Sequence, residues 1–536
     1  MILGRYCWNA MQQRGMSVRV VGGASVYTFD SLPETLFDGL AATAARVPEA
    51  YALVDDDARR YTFAELHRLA SSMAAYLQGA HGVGEGDRVG ILLEASVEFC
   101  TIYFACSMIG AVAVPLSTKF REPEITSLVE RSSLSALLID ERFGSWAERL
   151  SSACPAVLVC DRTATGFGYP EVLRAWPKPR RAGSLASDAV MIYTSGTTSA
   201  SKGVLLTNAN VLHAATVYRR LMGTTEEDRT VIPVPIYHIT GLVALLTQFV
   251  LVGATTYIHR RFDARRLLDC VRDEKITYLH ASPTAFEKVL ELRDEYPELP
   301  SLRALLSGSS YEPVSRMRAF HEWLPTCAFQ VVYGMTETAS PALLFPYDSP
   351  TSIYAGATGK PVPGVDVRIV DDEGRDVETG AVGELLLSGA CVTRGYHEHA
   401  CEVLDRTGWL PTGDMGYANA EGMVWVVDRK KDMINRGGEK IWCSSLEETL
   451  CGIDGVREAC VAGIPDELYG EVAVAAVVPL PGAELTEGGL RDTLRGLVAG
   501  FEIPERIVFV DHIPQTVGDK PDRAAVRAAV LEIRRS

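Results

Sequence analysis

The sequence predicts an α/β protein with a large N-terminal domain of mostly parallel sheets and helices, a barrel-like part, and a small α+β C-terminal domain. Strand-like apolar runs alternate with helical patterns as far as about residue 280, which is typical of parallel sheets. After about Gly359 the pattern changes to short strand-like pieces with turn signals. The length of 536 residues exceeds what one hydrophobic core usually supports, so at least two domains are expected.

The N-terminal elements alternate between helix and strand. Thr62 and Glu65 form a capping-box pattern before an apolar stripe of helical spacing, which we expect to end at Gly79. Residues 88–93 (RVGILL) predict a buried strand, and residues 97–109 predict a helix. Further strands are predicted at residues 111–115, 136–140, 190–193, 255–258 and 278–280.

The C-terminal part is predicted to begin near Asp428. Before this boundary, the segments VDVRIVDDEG and GELLLSG predict antiparallel strands of the barrel-like part. Beyond it, we expect a helix from about Ser444, two strands in VREACVAGI and EVAVAAVVPL, and a final helix from about Pro521.

Composition and charge exclude several classes of partner. The net charge of −16 and the isoelectric point near 5.2 argue against nucleic acid or an anionic membrane, because both bind basic surfaces. The twelve cysteines include no C-x-x-C pair, and the first residues show no export signal. We therefore expect a reduced, cytoplasmic protein.

Two apolar stretches, residues 99–116 and 241–258, are about as long as a membrane span. Gly110 and Pro115 interrupt the first, and Thr247, Gln248 and Gly253 interrupt the second. Each stretch therefore predicts a buried helix followed by a short strand, with no membrane span.

Residues 193–204 (YTSGTTSASKGV) carry the strongest chemical signal. Here a strand ends in small hydroxyl residues and glycine, followed by a single lysine. Hydroxyls and backbone N–H groups can surround phosphate oxygens, and a lysine can neutralise their charge. The pattern is not Walker A, because no G-K-[ST] follows at the required spacing. The candidate phosphate-binding residues are Thr194, Ser195, Gly196, Thr197, Thr198 and Lys202.

This loop resembles the signature of the adenylate-forming superfamily, which contains acyl-CoA synthetases, peptide-synthetase adenylation domains and firefly-type luciferases. The later motifs follow in the order that this superfamily shows, over about 330 residues. They are PIYHITG (235–241), SGSS (307–310), YGMTET (333–338), GELLLSG (383–389), PTGDMG (411–416), DRKKDMINRGGEKI (428–441) and PQTVGDKPDR (514–523).

The resemblance implies a fold and an activity. The fold is a large N-terminal domain, residues 1–428, with two mostly parallel sheets and a barrel-like subdomain, and a mobile C-terminal domain, residues 429–536, with a hinge near Lys431. The activity is that of an ATP-dependent acid:CoA ligase, which forms an acyl-adenylate and then a thioester. ATP or AMP, Mg²⁺ and coenzyme A are the implied cofactors, and a small carboxylic acid is the substrate.

The resemblance also assigns the nucleotide and metal site. Thr336 is expected to contact the α-phosphate, and Glu337 to hold Mg²⁺, which prefers oxygen ligands. Asp414 is expected to accept the ribose hydroxyls, and Arg429 to bridge ribose and phosphate. Ser309, Ser310 and Tyr311 should border the adenine, and the further cofactor-binding residues are Gly308, Tyr333 and Gly334.

Two further residues are assigned to the chemical steps. His238 matches the residue that lies beside the activated carboxylate and helps to open the path for the CoA thiol. Lys520 matches a mobile lysine between the attacking carboxylate and the α-phosphate. Gly437 and Gly438 resemble the pantetheine passage. The local basic patch that an anionic CoA would need consists of Arg429, Lys430, Lys431, Arg436 and Lys440.

Three positions depart from the superfamily pattern. Ser199 replaces a usual glycine, Ser201 a usual proline, and Asp519 a usual glycine before the mobile lysine. A carboxylate next to Lys520 would compete with the substrate for its charge and repel the triphosphate. An adenylation-impaired enzyme that mainly converts a supplied acyl-adenylate into the thioester is therefore an alternative.

The sequence leaves the thiol acceptor and the reaction class open. The acceptor could be the phosphopantetheine thiol of a carrier protein, and the chain could be a non-catalytic adenylate-binding relative or a luciferase-type oxygenase. The small residues Gly308, Ser309 and Ala339 leave room for a bulky or cyclic acid, and a homodimer is compatible with the sequence. The spacing of Cys391, His397, His399 and Cys401 fits no structural zinc pattern.

Overall fold

A computed structural model describes residues 2–4, 7–161, 167–194, 201–397, 403–515 and 521–533 of the 536. The described residues form five sheets. Two large, mostly parallel sheets, a four-stranded antiparallel sheet and an N-terminal hairpin account for the chain up to about residue 429. The last sheet and its helices account for the rest.

The first large sheet has seven strands. Five of them run parallel to one another, from Asp188–Thr194 to Val157–Val159 in spatial order. The strand before the candidate phosphate loop and the strand after it form an antiparallel hairpin at the other edge. In spatial order the strands are Gly395–Tyr396, Lys202–Thr207, Asp188–Thr194, Val112–Pro115, Arg88–Leu92, Ala136–Ile139 and Val157–Val159.

The second large sheet has nine strands, parallel in its centre and antiparallel at both edges. One edge of this sheet consists of the strand that leads into the YGMTET motif and two short antiparallel strands beside it. In spatial order the strands are Lys360–Pro361, Leu343–Leu344, Ala328–Tyr333, Ala304–Ser307, Tyr278–Ala281, Arg229–Ile232, Thr255–Ile258, Tyr51–Val54 and Arg60–Thr62.

Helices cover these sheets, and their apolar side chains pack into one large cluster and two smaller ones. The α-helices are Leu36–Arg46, Phe63–His81, Val97–Met108, Glu122–Ser132, Ala147–Leu150, Asn208–Met222, Gln248–Val252, Ala264–Asp273, Pro283–Leu290 and Val314–Trp323. Residues Thr240–Thr247 form a π-helix, and 3₁₀ turns occupy Glu141–Trp146, Pro170–Leu173, Arg293–Glu295 and Thr336–Thr338.

The two long apolar stretches are core elements. Every residue of the helix Val97–Met108 is buried, which explains its lack of a polar face. In the described part of the chain, no helix is long and apolar enough to cross a membrane.

One helix is longer than the sequence predicted. The helix that begins after the capping box of Thr62 and Glu65 passes through Gly79 and ends at His81. Gly82 then adopts a left-handed conformation with φ 68° and terminates it. A glycine inside a helix costs about 1 kcal/mol of stability relative to alanine. The burial of apolar side chains along this helix offsets that cost.

The barrel-like part is seen as four antiparallel strands in linear order, Val365–Val370, Gly383–Gly389, Leu410–Ala418 and Val424–Arg429. A separate hairpin joins Met16–Val21 and Ala24–Phe29. The C-terminal sheet contains Glu439–Ile441, Ile434–Arg436, Gly470–Pro479, Val456–Asp466 and Arg506–Phe509, and its helices are Cys443–Cys451, Glu487–Leu494 and Arg523–Ile533. Two small apolar clusters fill the two faces of this sheet.

Candidate active site

The candidate phosphate loop connects the two strands of an edge hairpin. Lys202 pairs with Thr194 across this hairpin, so both residues stand at the mouth of the loop. Ser201, at the position of the superfamily proline, donates its hydroxyl to the carbonyl of Thr194. Arg131 donates to the carbonyl of Ser201 at 2.7 Å. The serine therefore closes the base of the loop with a hydroxyl hydrogen bond that proline could not make. The predicted residues Ser195, Gly196, Thr197 and Thr198, and the departure Ser199, lie outside the described residues.

Lys202 and Glu337 are brought together by a residue that the sequence did not single out. The ammonium of Lys202 lies 4.8 Å from the centre of the Tyr396 ring, within cation–π range. The hydroxyl of Tyr396 donates to Oε1 of Glu337 at 3.0 Å. Tyr396 thus connects the end of the phosphate loop with the carboxylate predicted to hold the metal.

Glu337 is a buried carboxyl group with a perturbed pKa. Burial raises its pKa above the ordinary value, against the opposing effects of hydrogen bonds from the backbone and Tyr396 and of the charges of Arg429 and Lys202. Burial therefore disfavours the carboxylate form, and nearby positive charge favours it. A bound cation would supply such charge, and carboxylate oxygen is the donor type that Mg²⁺ prefers.

Asp414 is buried and contacts two other predicted site residues. Its Oδ2 accepts a hydrogen bond from the Tyr333 hydroxyl at 2.5 Å, and its Oδ1 lies 3.0 Å from Nε of Arg429. Burial, and then the charge of Asp414, raises the pKa of Tyr333 well above its usual range, so the phenol remains a donor. The charge of Arg429 also lowers the pKa of Glu337. The predicted ribose residues Asp414 and Arg429 therefore form one cluster with the predicted metal residue Glu337.

The turn of the YGMTET motif is unusually tight. A Cβ atom on Gly334 would lie 1.4 Å from the carbonyl oxygen of Ser340, so glycine is required here. Thr336 and Glu337 belong to the 3₁₀ turn Thr336–Thr338. Ala339 and Ser340 follow with positive φ angles of 51° and 104°, which are strained for residues other than glycine. Thr336 and the buried Glu337 are therefore neighbours on a constrained turn.

The SGSS segment follows the strand Ala304–Ser307. Gly308 is buried against Val332, since an added Cβ would come within 2.8 Å of a Val332 methyl carbon. Ser309 and Ser310 are exposed, as expected for residues that border a ligand. Tyr311 is partly exposed, and burial followed by a hydrogen bond to Glu448 raises its pKa.

The contact between Tyr311 and Glu448 joins the SGSS segment to the C-terminal helix Cys443–Cys451. A second contact brings Arg457 within 3.9 Å of Glu287. The pKa of Glu287 is raised, first by burial and also by the neighbouring carboxyl of Glu458. The C-terminal part therefore lies against the predicted adenine border.

His238 lies in the PIYHITG turn directly before the π-helix Thr240–Thr247. Its amide donates to the carbonyl of Pro235 at 3.0 Å, and its ring centre lies 4.9 Å from that of Tyr237. Gly241 is required for this turn, because an added Cβ would lie 2.9 Å from the carbonyl oxygen of Pro235. The side chain of His238 is half-buried, so it retains access to solvent.

Gly437 and Gly438 form the two-residue turn between the strands Ile434–Arg436 and Glu439–Ile441. Their φ angles of 62° and 98° explain both glycines, because a hairpin of this kind needs left-handed residues. Lys431 is exposed in the turn that joins the antiparallel sheet to the C-terminal sheet.

The predicted basic patch is largely paired. Arg429 contacts Asp414, and Lys430 contacts Asp372 at 2.9 Å and Glu384 at 3.0 Å. Arg436 lies over the ring of Tyr469, 4.1 Å from its centre.

The structure does not describe several of the predicted residues. Lys520 and Asp519 lie outside the described residues, as do His399 and Cys401. Among the described residues, no group of His, Cys, Asp and Glu side chains could hold a metal ion by itself, and the eleven described cysteines are free thiols.

Family models match both parts of the chain. The model of the AMP-binding enzyme family matches residues 40–397, and that of the AMP-binding enzyme C-terminal domain matches residues 445–520. An indoleacetate–CoA ligase from Aromatoleum aromaticum is 32% identical over 499 residues, which cover 91% of this chain and 95% of that ligase. A fatty acid–[acyl-carrier-protein] ligase from Streptomyces coeruleorubidus is 32% identical over 483 residues, covering 88% and 92%.

The fold is also shared with solved structures. The o-succinylbenzoate CoA synthetase of Bacillus subtilis, in complex with its acyl-adenylate intermediate, superposes with a TM-score of 0.81 at 30% identity and covers 91% of this chain and 97% of its own. A structure of the same synthetase with ATP and magnesium ion gives a TM-score of 0.81 at 30% identity, covering 92% and 99%. These matches confirm the resemblance seen in the motifs. The chain belongs to the AMP-binding enzyme family.

Proposed function

We propose that this protein is an ATP-dependent acid:CoA ligase, which forms an acyl-adenylate and then an acyl-CoA thioester. The clustering of Lys202, Glu337, Asp414 and Arg429 carries this conclusion. Two cations beside two buried carboxylates suit a nucleotide with its metal ion, which presents both negative phosphates and a positive charge.

In the first step a carboxylate oxygen of the acid bonds to the α-phosphorus of ATP, and pyrophosphate leaves. Lys202, with the hydroxyls of its loop, neutralises the β- and γ-phosphates. Thr336 contacts the α-phosphate. Glu337 holds Mg²⁺, which supplies neutralising charge to the phosphate oxygens when bound. Lys520 donates to the oxygens where negative charge develops.

The nucleoside is held by the other half of the cleft. Asp414 accepts the ribose hydroxyls, and its present partners Tyr333 and Arg429 orient its two oxygens. Arg429 is placed to contact both ribose and phosphate. The exposed residues Ser309, Ser310 and Tyr311 border the adenine.

Tyr396 is a positioning residue in this proposal. Its ring supports the ammonium of Lys202, and its hydroxyl orients the carboxylate of Glu337. It acts on the substrates only through these two residues.

In the second step the CoA thiol attacks the acyl carbon and AMP leaves. We propose that residues 429–536 rotate about Lys431 relative to residues 1–428, so that Lys520 withdraws and Gly437 and Gly438 line the path of the pantetheine. His238 stands beside the activated carboxylate in this proposal. The exposed turn at Lys431 suits a hinge, because its backbone can change conformation without disturbing a packed core.

The family relationship supports CoA as the acceptor, since relatives of this chain are named as CoA ligases. A carrier-protein thiol is the second candidate, supported by the fatty acid–[acyl-carrier-protein] ligase. The adenylation-impaired alternative is less favoured. A cytoplasmic location and a homodimer remain proposals.

The test measures both half-reactions. ATP–pyrophosphate exchange is followed with a panel of fatty, aryl and polycyclic acids, and thioester products with CoA or a carrier protein are identified by mass spectrometry. Lys202→Ala should lower exchange strongly, whereas Lys178→Ala, which changes an exposed lysine, should not. Presynthesised acyl-adenylates test the second step alone. A folded protein that exchanges no pyrophosphate and forms no thioester would contradict the proposal.

A further inference from the structure

His280 is a buried polar residue whose hydrogen bonding is incomplete. It stands on the strand Tyr278–Ala281 and is 1% exposed. In the described part of the chain, its Nδ1 atom has no hydrogen-bond partner. Burial lowers the pKa of this imidazole to about 3, so the ring is neutral, with one nitrogen donating and the other accepting. A buried polar atom without a partner is costly, so its partner is expected to come from outside the chain.

The surroundings of His280 place it at the wall of the candidate active site. Its strand pairs in parallel with the strand that leads into the SGSS segment. Nε2 lies 3.4 Å from the point that a Cβ atom on Gly308 would occupy. On the other side, its ring centre lies 5.9 Å from that of Tyr218. The Tyr218 hydroxyl shares a 2.8 Å hydrogen bond with Ser340, which follows the YGMTET turn.

His280 therefore lies between the two segments that border the adenylation site, near the carboxyl end of a parallel strand. Ligands of open α/β sheets bind at this edge. Tyr278, two residues earlier and so on the same face of the strand, also has a buried hydroxyl without a partner in the described part of the chain. Tyr237 in the PIYHITG segment, Val243 in the π-helix that follows it and Ala339 directly after YGMTET are buried and mainly apolar. A mainly apolar wall with few polar groups is typical of a site that orients a small molecule.

We infer that His280 determines substrate specificity by hydrogen bonding to the end of the acid remote from its carboxylate. This inference rests on the proposed function. The substrate class is an aromatic or polycyclic acid that carries a neutral hydrogen-bonding group at that end, such as a phenol hydroxyl, a ring carbonyl or a heteroaromatic N–H. A neutral group is required because a charged one would be buried against an uncharged imidazole.

The test uses pairs of acids that match in shape and differ in this group. The pairs are 4-hydroxycinnamate with cinnamate, indole-3-acetate with 1-naphthylacetate, and a polycyclic keto acid with its deoxo analogue. For each pair, kcat/KM in pyrophosphate exchange and the Kd of the acylsulfamoyl-adenosine analogues are measured. In the wild type, the hydrogen-bonding member of at least one pair should be favoured about tenfold or more, because a site built for a polar group rejects the analogue that lacks it.

His280→Leu should bring this ratio close to one and leave the Kd of ATP unchanged. His280→Gln, which keeps a donor and an acceptor, should retain part of the preference. His213→Gln is the control for a buried histidine, since both nitrogens of His213 are bonded, to Thr28 and to the carbonyl of Pro363. It should lower the melting temperature without changing the ratio.

An unchanged ratio in His280→Leu overturns the inference, and it is the result expected if water alone satisfies the imidazole. Preference for the unsubstituted acid in every pair also overturns it. Failure of the proposed function gives a different result: no acid supports exchange, and no acylsulfamoyl-adenosine analogue binds the folded protein.

Discussion

Tyr396→Phe removes one hydrogen bond and leaves the aromatic ring in place. The lost bond is the 3.0 Å donation from the hydroxyl to Glu337, whereas the ring that lies 4.8 Å from the ammonium of Lys202 is retained. A hydrogen bond to a charged group contributes about 1.5–3 kcal/mol. Since about 1.4 kcal/mol corresponds to a tenfold change, we expect adenylation at limiting Mg²⁺ to slow by about ten- to a hundredfold.

The pH dependence gives this substitution a second, independent readout. Burial already raises the pKa of Glu337, and the Tyr396 hydrogen bond lowers it. Without that bond the pKa rises further, so less carboxylate is present at a given pH below neutrality. The acidic limb of the pyrophosphate-exchange profile should therefore move to higher pH in Tyr396→Phe.

The assay is pyrophosphate exchange, measured as a function of Mg²⁺ concentration and of pH. Tyr347→Phe is the matched control, because Tyr347 is exposed and has no role in the proposed site. Tyr396→Leu removes the ring as well and should also raise the KM of ATP. An unchanged Mg²⁺ dependence together with an unshifted acidic limb in Tyr396→Phe would refute the positioning role.

Four further substitutions test the rest of the site. Glu337→Gln should abolish Mg²⁺-dependent exchange yet raise the melting temperature of the ligand-free protein at neutral pH, measured by calorimetry. The sign follows from its raised pKa, because the buried charge costs stability once the pH exceeds the unfolded value. Asp414→Asn should raise the KM of ATP tenfold or more, and it should also raise the KM of a supplied acyl-adenylate in thioester formation, because both ligands present the same ribose hydroxyls. Lys520→Ala should slow adenylation about a hundredfold or more, equivalent to about 2.7–4 kcal/mol, while single-turnover thioester formation persists. Gly334→Ala should prevent normal folding of the turn, since its Cβ would lie 1.4 Å from the Ser340 carbonyl oxygen; a wild-type melting curve would contradict this.

The sequence predicted individual elements well, because hydrophobic periodicity is local. The strands near residues 88–93, 255–258 and 278–280 lie within one or two residues of their predicted bounds. Strand order is a property of the whole chain and could not be predicted in the same way. Tyr51–Val54, for example, joins the second sheet by pairing with Thr255–Ile258, which lies some two hundred residues further along the chain.

Site prediction shows the same division between local and distant information. Motif order led to Glu337 and Asp414 because each stands in a recognisable local pattern. Tyr396 was missed because its role depends on contacts with residues 59 positions away and further. Its position shortly after GELLLSG was the available signal. The incomplete hydrogen bonding of His280 depends on packing between separate segments, which a single sequence does not reveal.

Three of the six non-glycine residues with positive φ angles in the described part of the chain belong to the SGSS segment or directly follow the YGMTET motif. Ser309, Ala339 and Ser340 adopt positive φ angles although none is glycine, and Glu337 keeps a carboxyl group in a buried position. Each feature costs free energy in the empty protein. Such costs are expected at a site where structure is selected for binding rather than for stability. A bound nucleotide with its cation would neutralise the charge of Glu337, so the proposed chemistry accounts for the free energy that burial of this carboxyl group costs.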